Sequence, residues 1–247
     1  MATRNSLWPI RNKRGLYLLI KKTGFKNPKQ VNYPWQFLDL TEKALSLIKE
    51  RTSKDVYISE KAVVEGEVIL ESGVRIFENA KVKGPCYIGK GTIIGNGSLV
   101  RDSIIGENCV VGYCTEIARS LIGGPSWFHT NYVGDSVFEG NVSMGSGAIT
   151  ANLRLDEKDI KSEVSGKNVN TGRNKFGCIV GGGTRFGVNA VPMPGVKIGK
   201  NSFIASGVIL NQDLPDGSFC YFKPDLIIKK NITSVSMESR KSFHKKI

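Results

Sequence analysis

Apolar residues recur at every sixth position over two long stretches of the chain. The first series runs from Ile58 to Val100 and the second from Val180 to Leu210. A small or β-branched residue usually stands four positions after each of them. A period of six matches neither the 3.6-residue turn of an α-helix nor the two-residue alternation of a simple strand. It predicts a solenoid of short strands, each turning a corner after six residues.

The start, the interruptions and the end of the six-residue period predict the organisation of the chain. The segment before the solenoid should be an extension with linker-like character and one helix, Leu40–Arg51, which begins at Asp39 or Thr41. Two interruptions predict loops that project from the coils, where function tends to reside. The predicted boundaries are residues 1–55 for the extension, 56–214 for the solenoid, about 123–131 and 153–177 for the two loops, and 215–247 for a basic tail.

Three six-residue strands per coil give the predicted all-β solenoid a triangular cross-section. Each apolar side chain at the sixfold position points inward and contributes about 1.5–3 kcal/mol when it is fully buried. Such a prism has no internal cleft, so any binding site must lie on its outer faces or between copies of the chain. Flat faces favour association, and a homotrimer is the simplest closed arrangement.

Charge and cysteine usage narrow the possible partners. The 247-residue chain carries a formal net charge of +13, much of it near the two ends. A nucleic-acid partner is not favoured, because no nucleic-acid module or basic–aromatic strip is present. Better solubility and attraction of a small polyanion remain as explanations of the charge. Five cysteines form no CxxC pair, and Cys86 and Cys109 occupy small inward positions, so no metal site is expected.

No segment has the features of a membrane span or of a signal peptide. The longest apolar run near the start, Gly15 to Ile20, is far too short to cross a bilayer. Lys21 and Lys22 follow it, and no small-residue cleavage site is evident. We therefore expect a cytoplasmic protein with no membrane partner.

The two histidines are the first candidates for chemistry. His244 lies in the basic tail, whereas His129 lies in the first predicted loop beside Trp127, Phe128 and Tyr132. Imidazole is the natural proton acceptor near neutral pH, so His129 is a candidate general base. The alternative is that His129 only makes hydrogen bonds within its own loop and has no catalytic role.

Four motifs occur in order along the chain: "HTNYVGD" from His129, "GSGAITANLR" from Gly145, "GRNKFG" from Gly172 and "PGVKIG" from Pro194. Together they resemble the left-handed β-helix acetyltransferases, and specifically the C-terminal half of the bifunctional sugar-1-phosphate nucleotidylyltransferase/acetyltransferases. "YPWQFLDL" from Tyr33 resembles the linker between the two halves of those proteins. The Gly-rich nucleotide loop of the other half has no counterpart, so the resemblance implies an acetyltransferase half alone.

The resemblance implies a left-handed parallel β-helix that uses acetyl-CoA, bound between subunits, to N-acetylate an amino sugar or its 1-phosphate without a metal. It implies His129 as catalytic base, with Asn152 beside the acetyl group and Glu116 near the base. The substrate-contacting positions it implies are Arg101, Tyr132, Ser143 and Lys175. The positions it implies for the cofactor are Ser146, whose backbone amide contacts the acyl group, Ala205, Ser206 and Lys223.

Three positions depart from the pattern of that family. Ala118 stands where relatives have a lysine, Ser143 where they have an asparagine, and Phe128 where they have a smaller residue. All three belong to the acceptor side, whereas the donor side and the base match. We therefore expect an acceptor that differs from glucosamine 1-phosphate or binds more weakly, because a charge-assisted contact is worth about 1.5–3 kcal/mol.

Other functions of β-helices give different expectations. A scaffold or assembly subunit would carry the same coils with an eroded pocket, and His129 would then have no catalytic role. Serine O-acetylation uses the same fold, but the "HTNYVGD" context resembles the amino-sugar branch. A zinc hydratase needs three histidine ligands, which two histidines cannot supply.

Overall fold

The chain folds into a left-handed parallel β-helix. The computed structural model describes residues 13–26, 28–223, 227–234 and 236–238. Three parallel sheets form the sides of the prism, and we call them sheets A, B and C. The inward positions carry one continuous apolar core from Val68 to Leu210. The predicted fold class is confirmed.

Each coil contributes one short strand to each side of the prism. Two helices, α1 (Lys13–Lys22) and α2 (Gln36–Leu45), precede the strands. The strands are β1 Arg51–Thr52, β2 Tyr57–Ile58, β3 Val63–Glu65, β4 Val68–Leu70, β5 Arg75–Ile76, β6 Lys81–Lys83, β7 Cys86–Ile88, β8 Ile93–Ile94, β9 Leu99–Arg101, β10 Ile104–Ile105, β11 Val110–Val111, β12 Glu116–Ala118, β13 Leu121–Ile122, β14 Ser126–Phe128, β15 Tyr132–Gly134, β16 Val137–Phe138, β17 Val142–Met144, β18 Lys161–Val164, β19 Lys167–Asn170, β20 Ile179–Val180, β21 Arg185–Phe186, β22 Val191–Pro192, β23 Lys197–Ile198, β24 Phe203–Ile204, β25 Ile209–Leu210 and β26 Phe219–Cys220.

Strand order within the sheets follows the coils. Sheet A is β1-β4-β7-β10-β13-β16-β20-β23, and sheet B is β2-β5-β8-β11-β14-β17-β21-β24-β26. Sheet C is β3-β6-β9-β12-β15, and the segment from Ile149 to Ala151 continues this side to the β22-β25 pair. All pairings within the prism are parallel, as a solenoid with one handedness requires. The three corners between the sheets are therefore columns of equivalent residues, one from each coil.

The extension before the solenoid is a packed layer rather than a free segment. Helices α1 and α2 bury Leu16, Ile20 and Phe37 against outward side chains of sheet A. Those outward residues stand in one register line: Ile69, Tyr87, Ile104, Leu121, Val137 and Ile179. Sheet A is thus apolar on both sides, which is typical of a parallel sheet covered by helices.

The observed boundaries differ from the predicted ones. The helix predicted at Leu40–Arg51 spans Gln36–Leu45, and the Thr41 hydroxyl donates to the Phe37 carbonyl within it instead of capping it. Helix α1 was not predicted, because its apolar stripe is short and sits among basic residues. The solenoid is also longer than residues 56–214, since β1 pairs with β4 and β26 pairs with β24.

The prediction that residues 123–131 project as a loop is wrong. Ser126–Phe128 forms β14, which pairs with β11 on one side and with β17 on the other. Phe128 is fully buried and fills the inward position six residues after Ile122. The sequence hid this strand because exposed Gly124 and Pro125 precede it and because the next corner, from Phe128 to Val133, is one residue short.

Residues 153–177 leave the coils and return to them. This excursion contains the antiparallel hairpin β18–β19, in which Lys161 pairs with Asn170. A buried lysine of sheet A, Lys197, anchors the hairpin, since its ammonium group donates to Ser162 Oγ at 3.1 Å and to the Glu163 carbonyl at 2.7 Å. The same ammonium group forms an ion pair with Asp213.

Neither described helix has the length and apolarity that crossing a membrane would require.

Candidate functional site

His129 lies at the corner where sheet B turns into sheet C. It directly follows β14, and its side chain is exposed. The equivalent residues in the coils on either side are Gly112 and Gly145, which follow the paired residues Val111 and Met144. A Cβ at Gly112 would stand 2.2 Å from the Phe128 carbonyl oxygen. Glycine at these two positions therefore allows the backbones of successive coils to approach closely at this corner.

The residues predicted to bind the cofactor follow His129 along the same corner. Ser146 lies one coil further on, and Ala205 and Ser206 lie two coils beyond it, in register with Gly187. Lys223 follows β26 in the last coil and is exposed. Coils are spaced about 4.8 Å apart, so this edge runs about 19 Å from His129 to the last coil. We call it the B/C edge.

The backbone N–H of Ser146 is available on this edge. Ser146 is exposed, and its N–H has no hydrogen-bond acceptor within the described ranges, whereas the amides of Gly145 and Gly147 are both satisfied. An unpaired amide near a candidate base can donate to an oxygen that gains negative charge during a reaction.

Sheet C presents a charged pair on its outer side. Arg101 donates from Nε at 3.0 Å and from Nη2 at 2.7 Å to the same carboxylate oxygen of Glu116. Tyr132 stands next to Glu116 in the following strand. The pair neutralises both members, so Arg101 does not offer a free positive charge in the single chain.

A second polar network lies where sheet C turns into sheet A. Asp135 is only 1% exposed and accepts two hydrogen bonds from Arg119, at 2.7 and 2.8 Å. The hydrogen bonds and charge of Asp135 raise the pKa of the Arg119 guanidinium above its ordinary value. Asn152 donates from Nδ2 to Asp135 Oδ2 at 2.5 Å and to Tyr132 Oη at 3.0 Å.

This network fixes which end of the Asn152 amide is free. An ionised carboxylate only accepts hydrogen bonds, so the Asn152 atom that meets Asp135 must be Nδ2. The Oδ1 atom then points away from Asp135, and no described residue donates to it. A Cβ at Gly134 would lie 2.5 Å from Tyr132 Oη and 2.7 Å from Asn152 Nδ2, so only glycine leaves room for this arrangement. Asn152 therefore presents a hydrogen-bond acceptor.

A cavity of about 730 Å³ opens beside this network. Its floor is the corner between sheets C and A, with Asp102, Arg119 and Asp135 on three successive coils. Helix α2 forms one wall, and the excursion 153–177 forms another. Arg173 ties these walls together through an ion pair with Asp39 of α2, and Trp35 packs on Phe176 at 6.2 Å between ring centroids.

The structure divides the predicted site residues between two edges of one side. His129 and the cofactor positions lie on the B/C edge, whereas Asn152 and Lys175 lie at the far end of sheet C, Lys175 in the cavity wall. Ser143 is on the outer side of sheet B, in register with Trp127 and Arg185. The strand Tyr132–Gly134 lies between the two edges, and its three extended residues span roughly 10 Å.

Sequence reasoning assigned no role to Arg119, Asp135 or α2. Asp135 ends the quoted motif "HTNYVGD", which was the only available signal. Its partners lie 16 and 17 positions away in neighbouring coils, so only the register of the coils brings the three side chains together.

Cys86 and Cys109 pack inward as predicted. Cys86, Cys109 and Cys178 are fully buried, and burial raises the pKa of each thiol to about 12. Within the described ranges no group of His, Cys, Asp and Glu side chains is arranged to hold a metal ion.

Comparisons with known proteins agree with this architecture. The family profile described as "Bacterial transferase hexapeptide (six repeats)" matches residues 67–102. The bifunctional sugar-1-phosphate nucleotidylyltransferase/acetyltransferase of Sulfurisphaera tokodaii is 38% identical over 197 residues, which cover 76% of this chain and 47% of that protein. The chain thus spans about half the length of this relative.

A second relative matches almost from end to end. The uncharacterized acetyltransferase YaiX of Escherichia coli is 30% identical over 218 residues, covering 82% of this chain and 93% of that protein. Among solved structures, the polySia-specific acetyltransferase NeuO matches with a TM-score of 0.35 and 20% identity, over 80% of this chain and 96% of that one.

Proposed function

Because the chain belongs to the hexapeptide-repeat acetyltransferase family, we propose that it transfers an acetyl group from acetyl-CoA to the amine of an amino sugar, such as glucosamine or its 1-phosphate. The observation that carries the proposal is the B/C edge. One exposed imidazole, an unpaired backbone amide and the small residues Ala205 and Ser206 follow each other along one corner. A linear thioester fits such a track.

The proposed chemistry is direct attack of the amine on the thioester. The amine lone pair forms a C–N bond to the acetyl carbonyl carbon, and His129 takes the proton that the nitrogen gives up. The Ser146 N–H stabilises the negative oxygen of the tetrahedral intermediate. The C–S bond then breaks, and the imidazolium proton goes to the departing thiolate, which leaves as free CoA. No redox step or metal is needed.

The two-edged distribution of residues supports a shared site in a homotrimer. Sheet A is covered by α1 and α2, which leaves sheets B and C to face other copies. A neighbouring protomer could place its His129 beside Asn152 and the cavity of this one, which a single chain cannot do. A threefold ring is the simplest closed assembly that repeats one such contact.

The decisive experiment replaces the imidazole. We expect His129→Ala to lower the rate of acetyl transfer to an amino sugar by about 10²–10⁴ while CoA binding is retained. His129 is exposed, so the fold should not change. His244→Ala is the matched control and should keep full activity. An unchanged rate in His129→Ala would refute the proposed mechanism, and no transfer by the wild-type chain would favour a scaffold.

A further inference from the structure

We propose that the cavity between α2, the excursion 153–177 and the sheet C/sheet A corner binds an amino-sugar acceptor that carries no phosphate. This inference rests on the proposed function and narrows its substrate class. Three observations carry it: the arginines of this region are already paired, carboxylates line the open part of the cavity, and the neighbouring strand position is uncharged.

Each arginine near the cavity is engaged by a carboxylate of the same chain. Arg173 pairs through Nη1 with Asp39, and its buried Nε has no partner among the described residues. Arg101 is held by Glu116 through two hydrogen bonds, and its Nη1 lies 3.8 Å from Asp102. Arg119 makes a two-point contact with buried Asp135. A phosphate would have to compete with carboxylates that are already in place, and a two-point guanidinium–carboxylate contact is among the strongest that proteins make.

The cavity lining supplies negative groups beyond those pairs. Glu42 of α2 and Glu157 and Asp159 of the excursion line it without an ion pair in the described part of the chain, whereas Asp102 of the corner is paired with Arg101. Lys158 and Lys175 are the lining cations that no ion pair in the described part of the chain engages, since Arg173 pairs with Asp39. Three such carboxylates thus oppose two ammonium groups. These carboxylates would repel a phosphate, so this cavity disfavours one.

The same groups suit hydroxyls and an ammonium. Carboxylates accept hydrogen bonds from sugar hydroxyls and pair with a protonated amine. Ala118 pairs with Arg101 in one neighbouring strand of sheet C and with Gly134 in the other. It is fully buried and carries no charge. The volume of about 730 Å³ lies within the range that small-molecule sites occupy, and it exceeds the needs of one pyranose ring.

Calorimetric titration of the full chain, saturated with CoA, tests the inference without relying on turnover. We expect glucosamine to bind at least about tenfold more tightly than glucosamine 1-phosphate. Equal or tighter binding of the phosphate ester would overturn the proposal. Undetectable binding of glucosamine at millimolar concentration would overturn it as well.

A pair of matched substitutions tests the location. Asp102 has a backbone φ of +50°, which asparagine tolerates, so Asp102→Asn removes the charge without straining the corner. We expect this variant to bind glucosamine more weakly. The ratio of its affinities for glucosamine and for glucosamine 1-phosphate should fall several-fold. Asp55→Asn, at an exposed position outside the cavity, should change neither the affinity for glucosamine nor the ratio of the two affinities. If Asp102→Asn behaves like Asp55→Asn, the cavity is not the acceptor site.

Acetyl-transfer assays separate this inference from the proposed function. Efficient transfer to glucosamine 1-phosphate with none to glucosamine would keep the acetyltransferase and overturn the acceptor class. Selective glucosamine binding with no acetyl transfer to any amine would support the acceptor class and overturn the proposed acetyltransferase function.

Discussion

The side-chain amide of Asn152 can act as donor or acceptor, and Asp135 decides which. Asp135 is buried and already paired with Arg119, so it holds Asn152 Nδ2 and leaves Oδ1 for a ligand. In the proposed reaction an acceptor oxygen at this place would receive an N–H of the attacking amine and aim its lone pair. Asp135 and Arg119 are then positioning residues, since they act on the reaction through the orientation of Asn152.

The residue-scale prediction concerns Asp135→Asn. The neutral amide can no longer force the orientation of Asn152 and leaves Arg119 without its charge partner. We expect kcat/KM to fall at least about tenfold and the free energy of unfolding to fall by about 1–3 kcal/mol. Acetyl transfer and urea denaturation measure the two effects.

Asp156→Asn is the matched control for this change. Asp156 pairs with Arg154 on the surface of the excursion, so its loss should change neither quantity. An Asp135→Asn enzyme with full activity would show that the orientation of Asn152 does not matter.

The buried thiols give a second residue-scale prediction, on pH. The pKa of Cys86, Cys109 and Cys178 is about 12 in the folded chain and near 9.0 when unfolded, so the unfolded chain releases these protons first. The free energy of unfolding should therefore fall as pH rises from about 9 towards 12. Urea denaturation at pH 8 and 10.5 measures the loss. A triple cysteine-to-alanine variant should lose less between these two pH values, and equal losses would contradict the assignment.

At the scale of elements, the hairpin β18–β19 depends on one buried ammonium. Lys197 is 3% exposed and stands at the end of the register line that otherwise holds apolar residues such as Ile179. It bonds to Ser162 and Glu163 of the hairpin and to Asp213 of the last coils. A lysine in an apolar line is tolerated only because every part of its charge has a partner.

We therefore predict that Lys197→Met opens the hairpin while the coils stay folded. Backbone amides of residues 161–170 should exchange with deuterium at least about tenfold faster, because the donor that anchors them is gone. Lys200→Met is the control, since Lys200 is exposed. Unchanged exchange in Lys197→Met would show that the hairpin is held by other contacts.

The elements also show how far the sequence pattern reaches. Coils with six-residue steps were predictable, because one buried side chain per strand repeats at a fixed distance. The strand Ser126–Phe128 was missed, since the corner after it is a residue short and Phe128 looked like part of an aromatic loop. Helix α1 was missed because its burial against sheet A is a tertiary contact that no local periodicity reports.

At the scale of the whole molecule, the proposed homotrimer with a shared site predicts complementation between protomers. We expect His129→Ala and Asn152→Ala each to be inactive alone. Mixed trimers formed by co-expression should recover about a quarter of the wild-type activity, because one in four interfaces then joins an intact His129 to an intact Asn152.

Size-exclusion chromatography with light scattering checks the assembly, and acetyl transfer checks the recovery. Mixing the purified proteins without subunit exchange is the control and should restore nothing. Recovery absent from confirmed mixed trimers would mean that one chain holds the complete site.

The site could be predicted only in part for the same geometric reason. Motifs name His129 and Asn152 within 23 positions of each other, and proximity along the chain suggests a single cluster. In a prism, however, a few residues around a corner or across a side change the direction in which a side chain faces. Sequence motifs therefore indicate candidate residues, whereas the register of the coils determines which of them lie close together.

The excursion departs after Asn152 and rejoins the coils at Phe176, so the stacked strands above and below it pair as if it were absent. Its length and composition can therefore vary through insertion or replacement without moving His129 or the track beyond it. Under the proposed function, a lineage of such proteins could change its acceptor by exchanging this one segment, while the residues proposed to handle the thioester are inherited intact.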